Sequence, residues 1–375
     1  MESIEFKSPT RIHFGPGAVE RLGDLAREVG VSRVLLVSDH GLVSIGHVDL
    51  AAGILRKSGL QVLSFHDFEE DPTEEMAERG CLVAREGAVE LLVGMGGGSS
   101  MDCAKAINFL LTNGGRMRDY WGYNKAQKPM IPMIAVPTTA GTGSEVQSYA
   151  LITQDGSRRK MACGDPKAAF REAILDPQLT VTMPSQVTAA SGFDAIGHAV
   201  ETWVTTKRTP FSQFFSLEAW RLLEANFERV LRQPDDVEAR GKMLLGSCFA
   251  GIAIENSMLG ATHALANPLT EKYGTQHGVA IAILLCPVVR WNTPVVAELY
   301  DELLAASGGK TEAHLDGRLQ ELLQRSKLPA RLREVGVQRE DLPELARDAI
   351  QQWTGTFNPR PLREEEALAL YESVY

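Results

Sequence analysis

Between Arg33 and Thr139 the sequence alternates strand-like and helix-like segments, and that rhythm restricts the fold more than anything else in it. RVLLVSD (33–39), QVLSFHDF (61–68), VELLVGMG (89–96) and MIPMIAVPTT (130–139) are short apolar runs of strand length. HVDLAAGILRKSG, PTEEMAERGCLVAREG and SMDCAKAINFLLTN separate them with helical spacing, the second expected to begin at Pro72, a residue suited to a first turn. Buried runs joined by helices pair as parallel strands with helical crossovers, the doubly wound α/β arrangement. After ILDPQLTVTMP (174–184) strand signals fade and long helical stretches follow at 185–205, 211–232 and 235–258. RQPDDVEAR (232–240) and ASGGKTEAHLDG (306–317) read as helix–helix loops. The expectation is an α/β domain over residues 1–182 and an all-α domain over 183–375, with ligands in the cleft between two such domains.

Charge narrows the function classes. A formal net charge of −10 over 375 residues argues against nucleic-acid binding, which needs a basic face. No uninterrupted apolar run approaches bilayer-spanning length, and MESIEFKSPTRIHFG has no signal-peptide core. Five dispersed cysteines with no C-x-x-C pair fit reduced, buried thiols. These features predict a cytoplasmic protein.

LLVGMGGGSSMDCAKAI (91–107) is a strand, then Gly96, Gly97, Gly98 and Ser99, then a helix. Glycines allow close backbone approach, and the helix turns its unpaired N–H groups toward whatever sits there, which suits a pyrophosphate. The spacing departs from G-x-G-x-x-G at Ser99, and no G-K-[ST] follows. A tight turn without a ligand is the equal alternative for this loop alone. A second small-residue loop, VPTTAGTGSE (136–145), ends another strand and offers Thr138, Thr139, Thr142 and Ser144; parallel sheets collect ligands at such strand ends. The two loops together predict a Rossmann-like dinucleotide-binding domain. Asp39 ends the first strand, where a carboxylate either binds a ribose and disfavours NADP or serves as an ordinary helix N-cap.

In SGFDAIGHAVETW (191–203) Asp194 and His198 are four apart on one helical face. Such a pair alone is more often a surface ion pair. His263 in MLGATHALANPL and His277 before GVAIAILLCPVV lie in apolar stretches, where an imidazole needs a partner. A helix ending near Pro268 and a short loop would fold His263 and His277 back together. Three histidines and a carboxylate in one helical domain favour a shared divalent ion. Fe²⁺, Zn²⁺, Co²⁺ and Ni²⁺ all accept this donor set. His13, His40, His47, His66 and His314 are read as structural, His40 lying nearest the cofactor loops.

GGGSSMDCAKAI, VPTTAGTGSEV, LDPQLTVTMP, SGFDAIGHAVETWV, the two histidines around HGVAIAILL, and FNPRPL stand in this order along the chain. The sequence resembles the iron-containing alcohol dehydrogenases end to end. The resemblance implies a dehydroquinate synthase-like architecture and Asp194, His198, His263 and His277 as ligands of an iron(II) ion, with zinc or another divalent ion as alternatives. It implies that Asp39, Gly97, Gly98, Ser99, Asp102, Thr138, Thr139, Ser144, Lys160 and Leu179 line the NAD site, Lys160 on a hairpin. It implies reversible hydride transfer between nicotinamide C4 and a small primary alcohol or aldehyde whose oxygen binds the metal. It also implies an N-terminal segment that reaches across a homodimer or higher homo-oligomer. One departure stands out: Asn267 and Thr270 replace a histidine and a glycine of the family pattern, and Asn267 cannot titrate near neutral pH. That histidine faces the substrate pocket, which makes Asn267 a candidate site residue and leaves the proton path open. The alternatives are a glycerol or hydroxy-acid dehydrogenase of the same superfamily and a non-catalytic nucleotide- and metal-binding protein. A dehydroquinate synthase would need a dense basic pocket, which the metal motifs lack.

Overall fold

The structure, a computed structural model, describes residues 4–6, 8–68, 70–157, 159–307 and 314–375. The centre of the loop expected at 306–317 lies outside them. The chain divides into two compact units. One comprises Ser8–Thr139 and Gly143–Met183; the other comprises Pro184–Tyr375 with residues 140–142 and the N-terminal segment before Ser8.

The first unit holds strands β1 (Arg11–Phe14), β2 (Arg33–Val37), β3 (Gln61–Phe65), β4 (Leu91–Gly96), β5 (Gly122–Tyr123), β6 (Met133–Pro137), β7 (Tyr149–Thr153), β8 (Lys160–Gly164) and β9 (Glu172–Leu175). Its helices are α1 (Leu22–Glu28), α2 (His40–Ser44), α3 (His47–Lys57), α4 (Glu74–Glu86) and α5 (Gly98–Asn113). Six strands form a parallel sheet in the order β1-β9-β6-β4-β2-β3; β5, β8 and β7 form a small second sheet with β7 and β8 as an antiparallel hairpin. Successive residues of the parallel strands feed opposite cores, as a two-residue period requires. Val34, Leu36, Leu91 and Val93 pack with Leu25 of α1 and Leu55 of α3. Leu35, Val37 and Leu92 pack with Ala84 of α4 and Ile107 of α5. Covered on both faces, these strands carry no polar alternation.

One local expectation changes here. α4 begins at Glu74 rather than Pro72, because the Thr73 hydroxyl accepts the Met76 N–H at 3.3 Å and caps the helix, a service proline cannot give. In the N-terminal segment, Arg11–Phe14 form β1, which pairs in parallel with β9.

The second unit is helical: α6 (Ser185–Val204), α7 (Pro210–Arg232), α8 (Val237–Glu255), α9 (Ala261–Tyr273), α10 (His277–Ala306), α11 (Leu315–Ser326), α12 (Leu342–Ala349) and α13 (Glu364–Ser373). α9 does not stop near Pro268. The proline lacks the N–H that would bond Ala264, at a cost of about 3 kcal/mol in a helix interior. Burial of Ala264, Leu265 and Leu269 on either side offsets it. The actual stop is Gly274, left-handed at φ 65°, whose N–H bonds the Thr270 carbonyl at 3.0 Å. α10, at 30 residues, is long and apolar enough by composition to cross a bilayer, unlike any run read from the sequence; 61% of its most apolar window is buried, as in a core helix.

Candidate functional site

In the α/β unit, the carboxyl ends of β6, β4 and β2 stand side by side. From β2 the chain moves to β3 on one side and then returns to β4 on the other, so the order reverses between β2 and β4. Open α/β sheets bind ligands at such a reversal. Asp39 follows β2, Gly96–Ser99 follow β4, and Thr138–Thr139 follow β6. Gly96 has φ +144°, and a Cβ there would stand 2.3 Å from Ser100 Oγ. Gly97 is the N-cap of α5 and, lacking a side chain, leaves the first-turn N–H groups of Gly98, Ser99 and Ser100 without a side-chain cap. The cradle therefore fits a pyrophosphate in shape and polarity.

Asp39, Asp102, Thr138, Ser144, Lys160 and Leu179 are each engaged with neighbouring groups. Asp39 caps α2 by accepting the Leu42 N–H at 3.1 Å, and its second oxygen accepts the Ser100 hydroxyl at 3.3 Å. Lys160 Nζ lies 2.6 Å from Asp71 Oδ1, and the Asp71 N–H bonds Ser99 Oγ at 3.3 Å, so the ammonium is tied to the first turn of α5. Leu179 is buried, its carbonyl 3.1 Å from His47 Nε2. The Thr138 N–H bonds the Gly96 carbonyl at 3.0 Å. Asp102 is buried and accepts the Ser144 hydroxyl at 2.7 Å and the Leu151 N–H at 3.2 Å. Burial raises its pKa, against the pull of Lys105. Sequence reasoning missed Lys105, fully buried, whose Nζ donates to the Ser144 carbonyl and hydroxyl at 2.8 Å and to the Tyr149 carbonyl at 2.7 Å. Three residues after Asp102, it was the one detectable signal: a second ionisable group on the same helical face.

In the helical unit, α6 supplies Asp194 and His198 one turn apart, α9 supplies His263 in its first turn, and α10 opens with His277. The connection 274–276 returns the chain far enough for the His263 and His277 ring centroids to stand 5.4 Å apart. Ligand atoms of Asp194, His263 and His277 lie within 4.8 Å of one another. His198 stands beside this trio: its Nε2 is 3.4 Å from Asp194 Oδ1, and its ring stacks on His263 at 4.8 Å. His263 Nε2 and His277 Nε2 approach the same oxygen at 3.6 and 3.7 Å. These separations exceed hydrogen bonds, and Asp194 Oδ1 and His263 Nε2 are buried without a hydrogen-bond partner. Such atoms cost roughly 1–3 kcal/mol each when nothing meets them. A four-coordinate divalent ion with bonds of about 2.0–2.2 Å sets its donors roughly 3.3–3.6 Å apart. The donor set fits such an ion.

Among the protein groups alone, charge in this cluster is divided between the carboxylates and His263. Burial acts to raise the Asp194 pKa, but His198, His277 and His263 hold it well below the usual carboxylate range. Burial pushes His198 down to about 4 against the pull of Asp194. For His263 burial also acts downward, yet Glu201 and Asp194 overcome it and push the imidazole up to about 9.

Glu201 was not anticipated. It continues the Asp194–His198 face of α6 at the next three-residue step, which was the available signal. Its buried carboxylate accepts the Gly260 N–H at 2.9 Å and the Thr262 N–H at 2.5 Å, and lies 2.6 Å from His263 Nδ1. Asn267, one turn along α9 from His263, donates Nδ2 to Gln352 Oε1 at 3.0 Å.

Comparison with known proteins agrees across the whole chain. The family model for the iron-containing alcohol dehydrogenases matches residues 9–177, and the model for the C-terminal part of the Fe-containing alcohol dehydrogenase family matches residues 188–375. The NAD-dependent methanol dehydrogenase of Bacillus methanolicus is 34% identical over 363 residues, 95% of each chain. A crystal structure of 1,3-propanediol oxidoreductase superposes with a TM-score of 0.96 at 31% identity over the full length of both chains. Sulfoacetaldehyde reductase from Bifidobacterium kashiwanohense, solved in complex with NAD⁺, superposes with a TM-score of 0.91 at 25% identity, covering 100% of this chain and 99% of its own.

Proposed function

The chain belongs to the iron-containing alcohol dehydrogenase family, and from that premise we propose that it is a metal-dependent, NAD-linked dehydrogenase interconverting a small primary alcohol and its aldehyde. The observation that carries this reading is the convergence of three imidazole Nε2 atoms on Asp194 Oδ1, buried and unmet by any hydrogen bond. When bound, a divalent ion supplies Lewis acidity toward the substrate oxygen and a nicotinamide accepts or delivers hydride. Asp194, His198, His263 and His277 hold the ion, with Fe²⁺ the first expectation from the family and Zn²⁺ the alternative. The N–H groups of Gly98, Ser99 and Ser100 anchor the pyrophosphate, and Lys160 adds a positive charge beside them. Asp39 accepts from ribose hydroxyls and repels a 2′-phosphate, which supports NAD over NADP. A cytoplasmic location is supported by five free, buried cysteines. A homodimer or higher homo-oligomer is supported by the exposed aromatic pair Phe6 and Phe211, whose ring centroids stand 5.1 Å apart.

Elemental analysis of anaerobically purified protein, beside an alcohol and aldehyde panel with each cofactor, tests the assignment. One divalent ion per chain and turnover favouring NADH over NADPH are expected. Bound metal and bound NAD without turnover across the panel would favour the non-catalytic alternative. Turnover restricted to glycerol or hydroxy acids would favour the other dehydrogenases of the superfamily.

Asn267 shares the His263 face of α9 and can accept a hydrogen bond through Oδ1 but cannot take up a proton near neutrality. Asn267→His is therefore expected to add an inflection near neutral pH to the kcat profile and to raise kcat about tenfold, below the usual range for an optimised general base. An unchanged profile would remove position 267 from the proton path.

A further inference from the structure

The four groups expected on the metal come from three helices whose mutual placement is fixed by something other than the metal. α6 reaches α9 through Glu201. Its two carboxylate oxygens take the N–H groups of Gly260 and Thr262, which α9 leaves unpaired at its start, and the same carboxylate meets His263 Nδ1. The Ala261 N–H between them goes to Asn358 Oδ1 at 3.2 Å. Asn358 in turn exchanges two hydrogen bonds with Asn292 of α10, at 3.1 and 2.8 Å. Glu201 and Asn358 are both buried, and a Cβ at Gly260 would press on both, 3.1 Å from Glu201 Oε1 and 3.0 Å from Asn358 Oδ1.

An imidazole has two nitrogens, and a hydrogen bond at one decides which face of the ring is presented at the other. At His263 the Nδ1 edge is held by Glu201, so Nε2 is the edge turned to Asp194. The N–H donors of Gly260 and Thr262 keep the carboxylate from rotating away. We propose that Glu201 is a positioning residue for the metal centre: by gripping the first turn of α9 and His263 Nδ1 together, it fixes the orientation of the His263 ring and the aim of Nε2 before any ion arrives, keeps the remaining proton on Nδ1 once Nε2 takes the ion, and so sets metal affinity. This rests on the reading of Asp194, His198, His263 and His277 as the ligands.

The test is a Co²⁺ titration of the chelator-treated full-length protein, followed by the visible ligand-field spectrum. Wild type is expected to bind one Co²⁺ with a four- or five-coordinate spectrum. If it binds none, the ligand assignment itself fails. Given wild-type binding, Glu201→Gln keeps the size of the side chain but loses the charge and one acceptor. It is expected to weaken Co²⁺ binding about 10–100-fold and to shift the ligand-field bands, while circular dichroism of the apo-protein stays that of wild type. Affinity within twofold of wild type and an unchanged spectrum in a folded Glu201→Gln protein would overturn the proposal. Should that variant not fold, Co²⁺-loaded wild type decides by proton NMR in water. A hyperfine-shifted His263 Nδ1 proton in slow exchange with solvent is expected, and its absence overturns the assignment.

Discussion

Replacing His263 with alanine is expected to strip the divalent ion and to lower kcat/KM at least about a thousandfold, since a Lewis-acid ion accounts for several kcal/mol of transition-state stabilisation. The loss has two components. One of the imidazoles facing Asp194 Oδ1 disappears, and the remaining donors no longer enclose a position for the ion. Glu201 also loses its imidazole partner in a buried setting, where the Gly260 and Thr262 N–H groups still meet it. Breaking a buried charge pair from one side typically costs about 3–5 kcal/mol, so denaturant unfolding of the apo-protein is expected to shift as well. Metal stoichiometry is the decisive reading. One ion per chain together with near-normal turnover would take His263 out of the centre.

Gly278→Ala is expected to be damaging as well, by a smaller factor, although it touches no proposed ligand. A Cβ at Gly278 would fall 2.1 Å from the Ala190 carbonyl oxygen and 2.5 Å from its carbon. Those are backbone atoms of α6, so relief requires the first turn of α10 to move away. His277 is the residue immediately before, and it moves with the turn. Overpacking costs about 1–3 kcal/mol in stability, and a displacement of about 1 Å at a reacting centre can cost roughly a hundredfold in rate. Gly317→Ala in α11 is the control, because its Cβ meets nothing within 4 Å. It is expected to leave metal content unchanged and to stabilise by about 0.4–1 kcal/mol. If Gly278→Ala keeps wild-type metal affinity and rate, the close approach of α10 to α6 does not position His277.

The parallel sheet was legible because strands buried on both faces appear as unbroken apolar runs, and helices between them leave few alternatives in topology. Asp194 and His198 were legible because a four-residue step on a helix is a contact. Other features depend on tertiary structure. The clash that demands glycine at position 278 involves a carbonyl 88 positions earlier. The Asp102–Lys105–Ser144 network lies inside α5 and its neighbours, where a sequence shows only two charges three apart. Pro268 looked like a terminus because its local cost is real; the surrounding burial that outweighs it has no local signature. Glu201 was within reach of the same spacing rule that found His198, but its purpose is visible only against the start of α9.

Asp194, His198, His263 and His277 belong to one unit, and the glycine cradle with Asp39 and Lys160 belongs to the other. Under the proposed roles, each unit carries the side chains for one of the two recognition tasks. On the proposed assignment, substitutions among Asp194, His198, His263 and His277 would act on the choice of ion, and substitutions at Asp39 or Lys160 on the choice of carrier. In lineages descended from such a chain, the two preferences are free to drift apart.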